Sequence, residues 1–168
     1  MKITKKELNN INYLKLNTKD LYIDNFSDAK RLQSIKNTFF CNIISFQQDE
    51  NTFNALQKAF REEIKVGLFY FDENNQNINS LNEVIFKNKI DKIDIIELFF
   101  DKSGYRILEV LCDTEYIQIV EKLIIHNSEE GLVSDARKKE IIEKLLKSHK
   151  KKYFNSFKFQ EWSRISTN

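Results

Sequence analysis

Apolar positions recur along this chain with two different periods, and the switches between them outline its elements. Thr4 and Glu7 form a capping box ahead of Leu8, Ile11 and Leu14 or Leu16, a short helical stripe. Residues 21–26, LYIDNF, suit a first strand, and Ser27 is placed to cap a helix reaching about Asn37, with Ala29, Leu32 and Ile35 inward. TFFCNIISFQ (38–47) is apolar at odd and even positions alike, the mark of a central strand buried on both faces. Phe53, Leu56, Phe60 and Ile64 then fall three and four residues apart, which predicts an amphipathic helix over 49–64. KVGLFYF (65–71) returns to strand character, DENNQNINS (72–80) is a polar loop, and Ser80 with Glu83 caps a short helix carrying Leu81, Val84 and Ile85.

The second half predicts a hairpin, then two helices. IDIIELFF (93–100) and YRILEVLC (105–112) are strand-like runs around Asp101-Lys102-Ser103-Gly104, where Gly104 suits the left-handed position of a turn. Thr114 is expected to cap a helix carrying Ile117, Val120, Leu123 and Ile124 and ending near Asn127. Ser134 opens a last helix with Ile141, Ile142, Leu145 and Leu146 inward, running to about Lys152, after which Phe157 and Phe159 alternate as a strand or extended tail does. The order points to one α+β domain over residues 1–168, with a mixed or antiparallel sheet of about five strands flanked by helices. The early alternation of strand and helix keeps an α/β sheet as the alternative.

Composition narrows the chemistry more than it suggests any. The 168 residues contain no proline and only three glycines, Gly67, Gly104 and Gly131, so no glycine-rich phosphate loop or dinucleotide fingerprint is present. Cys41 and Cys112 lie in apolar runs, as free thiols of a cytoplasmic protein would. No stretch approaches the 18 or more uninterrupted apolar residues of a membrane span, and no membrane partner is expected. Net charge is +2, yet residues 137–168 hold ten Lys/Arg against three Asp/Glu, a local +7 that leaves −5 on the rest. This segment is expected to form a basic C-terminal helix plus an aromatic tail.

Candidate sites are correspondingly few. His126 and His149 stand 23 residues apart without ligand neighbours, so no metal site and no cofactor are expected. Asp91, Asp94, Glu97 and Glu109 could serve a divergent metal-dependent nuclease, although Val110 and Leu111 after Glu109 leave no lysine where such a site wants one. Lys150, Lys151, Lys152, Tyr153, Lys158 and Trp162 combine cations with stacking faces and offer a nucleic-acid surface. Asp20, Asp24, Asp49, Glu50, Asp72 and Glu73 offer an acidic surface for a protein partner. By elimination, the sequence suggests a non-enzymatic, protein-binding inhibitor: an immunity or antitoxin-like protein that neutralises a toxin, or a viral anti-defence protein. Nucleic-acid binding is the alternative and nuclease activity the third reading; oligomeric state is left open.

Overall fold

A computed structural model describes residues 11–47, 49–60, 66–70, 79–100, 102–127, 134–152 and 159–166. Seven strands form one sheet in the order β3-β2-β1-β4-β5-β7-β6. They are β1 (Leu21–Asp24), β2 (Asn42–Gln47), β3 (Val66–Tyr70), β4 (Ile93–Phe100), β5 (Val120–Asn127), β6 (His149–Lys152) and β7 (Phe159–Arg164). The first five pair in parallel, while β7 runs antiparallel between β5 and β6. Parallel neighbours need crossovers, and five helices occupy the connections: α1 (Ala29–Phe39), α2 (Glu50–Ala59), α3 (Asn79–Lys87), α4 (Lys102–Asp113) and α5 (Asp135–Leu145).

Helices cover both faces, which makes this a doubly wound α/β sheet. On one face Leu81 and Ile85 of α3, Leu108 and Leu111 of α4, and Ile141 and Leu145 of α5 pack on Ile23, Phe46, Ile96, Leu98, Leu123, Ile125 and Trp162. On the other, Leu32 and Ile35 of α1, Leu56 of α2 and the segment Ile11–Leu16 pack on Tyr22, Ile43, Ile95 and Ile124. The α/β alternative therefore replaces the α+β expectation, with seven strands rather than about five.

Three expectations fail for identifiable reasons. The hairpin is a strand–helix unit: YRILEVLC belongs to α4, whose Tyr105, Leu108 and Leu111 fall on one helical face. Gly104 is needed for a close approach rather than a turn, since a Cβ there would stand 2.0 Å from the Phe99 carbonyl oxygen. The helix expected after Thr114 is a short 3-10 turn, Tyr116–Ile119, followed by β5. A five- or six-residue apolar run fits a buried strand as readily as a helix, and neighbours on both sides decide it. The last helix ends at Leu145 rather than Lys152, and Lys150–Lys152 lie on an edge strand, where lysines discourage further pairing.

Other expectations hold in part; the strand expected over 38–47 begins at Asn42, with Phe39 closing α1. Asp28, one residue after Ser27, caps α1 through the Arg31 amide; Asp49 caps α2 and Ser134 caps α5. Of the last helix's inward set, Ile141 and Leu145 are buried while Ile142 and Leu146 are exposed. Cys41 and Cys112 are free thiols. The Thr4 capping box, Asp72, Glu73, Tyr153, Phe157 and Lys158 lie outside the described residues.

Candidate functional site at the carboxyl ends of the strands

The strand order reverses between β1 and β4, and parallel α/β sheets bind ligands at the carboxyl ends of the strands flanking such a reversal. Here that place is marked by a change in side-chain character. On the face covered by α1 and α2, the register aligns Ile43, Tyr22 and Ile95 in one row and sets Ile124 of β5 against Glu97, two residues further along. Two residues further along each strand come Ser45, Asp24, Glu97 and His126, all buried. A sheet face that is apolar below turns polar above, inside the protein.

Glu97 is the centre of this layer and is fully buried. Its Oε1 accepts hydrogen bonds from the Tyr13 hydroxyl and from His126 Nε2 at 2.6 Å. Its Oε2 accepts from the Tyr22 hydroxyl at 2.5 Å and from Arg31 Nη2 at 2.6 Å. Burial pushes the carboxyl up, but the His126 hydrogen bond and the Arg31 charge more than offset it, holding Glu97 at about 2. It is a carboxylate at neutral pH. Asp24 lies beside it, accepting from Ser27, Ser45 and Tyr22; burial pushes its carboxyl above the ordinary carboxylate range, against the pull of the Ser27 and Ser45 hydroxyls. Tyr22 and Tyr13 are pushed far upward, by burial first and then by the neighbouring carboxylates, so both remain neutral donors.

Arg31 comes from the first turn of α1 and is only 2% exposed. Burial disfavours its charge, but the Glu97 carboxylate beside it more than compensates and keeps it a cation. The guanidinium lies over the Phe26 ring at 5.1 Å, and its Nε and Nη1 have no hydrogen-bond partner among the described residues. Around His126 stand four rings: Phe159 at 5.4 Å, Phe26 at 5.5 Å, Tyr13 at 6.4 Å and Phe99 at 6.5 Å between centroids. These four are half-buried and form the border of the site. The β1–α1 and β4–α4 turns are joined by Asn25, which accepts from the Phe99 amide at 2.8 Å and donates to Ser103 Oγ at 2.9 Å.

Most residues singled out from sequence do not meet in space. Asp91 is exposed, and Asp94, at the amino end of β4, accepts from the Leu21 amide and pairs with Lys92. Glu109 is taken up by Arg106 and Arg137. With Glu97 buried elsewhere, the nuclease set is scattered, and among the described residues no cluster of three His, Cys, Asp or Glu could hold a metal ion. The acidic surface is also dispersed. Asp20 sits at the amino end of β1, accepting from the Asn17 amide; Asp24 is buried; Asp49 is spent on capping α2, beside exposed Glu50. Of the basic set, Lys150 is exposed, Lys151 lies 5.7 Å over the Trp162 ring, and Lys152 pairs with Glu161. Trp162 is 1% exposed and belongs to the core, so it offers no stacking face.

Sequence reasoning treated His126 as isolated and passed over Arg31, Tyr13 and Tyr22. A signal existed: LYID, NIISFQ, IDIIELFF and KLIIHN are apolar strands that each carry one or two polar side chains near the carboxyl end. An isolated polar residue inside a buried strand needs partners.

No known protein-family profile and no curated protein matches the chain. Solved structures do match. Fibrillarin, from its complex with Nop5p, superposes with a TM-score of 0.60 at 14% identity, covering 90% of this chain and 76% of fibrillarin's. Sp1610 of Streptococcus pneumoniae, a candidate tRNA (m1A22) methyltransferase, gives 0.56 at 14%, covering 99% and 73%. TrmK of M. capricolum, bound to the cofactor product S-adenosyl-homocysteine, gives 0.50 at 16%, covering 89% and 64%. What is shared is the fold. This finding overturns the expectation of a non-enzymatic inhibitor, whether immunity protein, antitoxin or anti-defence protein, since the structures that share the fold include ones named as methyltransferases. Among the described residues, no helix is long and apolar enough to cross a membrane.

Proposed function

We propose that this protein is an RNA-directed methyltransferase that takes its methyl group from S-adenosylmethionine at the carboxyl ends of β1, β4 and β5. The observation that carries this reading is the coincidence of the strand reversal with the buried polar layer of Asp24, Glu97 and Arg31. The RNA substrate rests on the likeness to Sp1610, and the excess of basic residues after 136 is consistent with a polyanionic partner.

The donor carries a carboxylate, an ammonium and a sulfonium, and the residues present match those charges in kind. Arg31 has two buried nitrogens, Nε and Nη1, without a partner among the described residues, which suits a carboxylate. Half-buried aromatic rings backed by the Glu97 and Asp24 carboxyl groups suit a sulfonium cation. One feature departs from the usual arrangement. The β1–α1 turn, Asn25-Phe26-Ser27-Asp28, lacks glycine, so the Phe26 side chain rather than bare backbone borders the site.

Bound there, the donor would supply an electrophilic methyl carbon. The chain's own part is to bind, orient and exclude water. Arg31 binds the donor's carboxylate, while Glu97, pinned by four donors, keeps the guanidinium charged and in place. Asn25 holds the two bordering turns at a set separation, and the rings of Tyr13, Phe26, Phe99 and Phe159 keep bulk water from the charged layer.

Titration calorimetry with S-adenosyl-homocysteine tests the reading. Saturable one-to-one binding is expected, weakened at least tenfold by Arg31→Lys, together with transfer of labelled methyl to RNA. No heat up to millimolar ligand and no label in RNA would refute it.

A further inference from the structure

We propose that His126 is the proton acceptor of this site, a general base oriented by Glu97, which removes the proton from the RNA O–H or N–H group that receives the methyl. The inference rests on the functional reading above and adds to it a residue that touches the reacting atoms.

The geometry assigns the roles of the two imidazole nitrogens. Glu97 is ionised and can only accept, so the 2.6 Å contact requires His126 Nε2 to carry the proton. In the neutral ring Nδ1 then holds a lone pair. Among the described residues, Nε2 is the ring nitrogen of His126 with a hydrogen-bond partner. A buried carboxylate on one imidazole nitrogen fixes the tautomer and the ring orientation, leaving the other nitrogen as the acceptor. Glu97 cannot swing away, because Tyr13, Tyr22 and Arg31 hold it from three further directions.

Position supports the role. His126 is the penultimate residue of β5, registered against Phe99 of β4 and Phe159 of β7, at the carboxyl ends where the site lies. It is 4% exposed and bordered by half-buried rings rather than sealed in the apolar core. By contrast, His149 is fully buried, with Nε2 on the Val120 carbonyl and Nδ1 on Ser148 Oγ; both its nitrogens are used structurally.

The step balances simply. The RNA nucleophile forms a bond to the methyl carbon, and the methyl–sulfur bond breaks with its electron pair staying on sulfur. The nucleophile's proton passes to His126 Nδ1, and solvent later removes it.

The test combines a spectroscopic and a kinetic readout. Proton NMR of the free protein should show a downfield imidazole N–H resonance that His126→Ala lacks and that His149→Gln retains; its absence would overturn the assigned tautomer. In methyl transfer to RNA, His126→Ala should lower kcat by about 10²–10⁴-fold with donor affinity little changed, and added imidazole should restore at least tenfold. Because His126→Ala leaves the Arg31–Glu97 pair intact, it is the variant of choice; Glu97→Gln risks misfolding and serves only as a second probe. Wild-type transfer with an equally active His126→Ala, or no imidazole rescue, sinks the proton-acceptor role and leaves the methyltransferase reading standing. Absence of transfer and of S-adenosyl-homocysteine binding in the wild type sinks that reading, and this role with it.

Discussion

The two faces of the central strands differ along their length. Facing α3–α5, Ile23, Ile96, Leu98, Leu123 and Ile125 make a buried apolar layer, with Asp94 at its amino-end rim. Facing α1 and α2, the same strands are apolar through Ile43, Ile95 and Ile124 and then carry Ser45, Asp24, Glu97 and His126. The first face gains free energy from every buried methylene. A buried ion-pair network contributes little net stability, since desolvation cancels most of its attraction, yet it is costly to break in half. One face stabilises the sheet; the upper part of the other gives up stability for a fixed charge arrangement.

Breaking the network should show this asymmetry most strongly. Glu97→Ala leaves a buried guanidinium without its counter-charge and should cost about 3–5 kcal/mol in urea unfolding. Removing both charges with Glu97→Leu and Arg31→Met together should cost clearly less than Glu97→Ala, the remaining loss coming from the Tyr13, Tyr22 and His126 donors left without their acceptor, while abolishing S-adenosyl-homocysteine binding. Ile96→Ala, one residue away on the apolar face, has no such rescue and should lose about 2–5 kcal/mol. If Glu97→Ala proves as mild as a surface change, the two faces do not differ as argued.

Acid sharpens the comparison next. Glu97 is held at about 2, below the ordinary 4.5, so its contribution is present above the unfolded-state value and is lost as pH falls from about 4.5 toward 2. The shift corresponds to roughly 3 kcal/mol at neutral pH. Asp24 is shifted upward and opposes this, since its ionisation costs stability as pH rises through its folded value. The expected net result is a loss of urea stability between about pH 4.5 and 2 that the Glu97→Leu/Arg31→Met protein largely lacks. Equal acid sensitivity in the two proteins would place the acid-labile group elsewhere.

Gly104 links the faces, because α4 packs on the apolar one while its first turn touches the polar end. Gly104→Ala would push a Cβ to 2.0 Å from the Phe99 carbonyl oxygen, forcing α4 away from β4 and Ser103 away from Asn25. About 1–3 kcal/mol should be lost. Donor-product binding should weaken too; unchanged binding would show that the Asn25 linkage does not shape the site.

The stable face was more legible in the sequence than the polar one. Leu81, Ile85, Ile141 and Leu145 are readable at helical spacing, and Ser134 as a cap, because these signals are local. YRILEVLC and VEKLIIHN were assigned the wrong element because short apolar runs satisfy both periods, and only the parallel β4–β5 pairing separates them. The site was illegible for a different reason. Tyr13, Arg31, Glu97 and His126 span more than a hundred residues, and no spacing rule joins a tyrosine before β1 to a histidine in β5. Glu97 was noticed for its charge and grouped with Asp94, which is three residues away and points to the opposite side of the strand.

The smallest expected effect lies at the sheet edge, where β6 sets exposed Lys150 opposite Ser163 and half-buried Lys151 opposite the buried Trp162 of β7. Lys150 carries no ion pair among the described residues, whereas Lys152 is bonded to Glu161 and Lys151 lies over Trp162. Lys150→Gln should leave stability within about 0.5 kcal/mol, because nothing buried depends on it. If the basic segment contacts RNA phosphates, the same change should reduce the slope of log affinity against log salt by about one counterion. Lys152→Gln should behave differently, costing a little stability because it strands Glu161 next to Lys122 alone. An unchanged salt slope in Lys150→Gln would mean that these lysines serve only to keep the edge of the sheet from pairing with another strand.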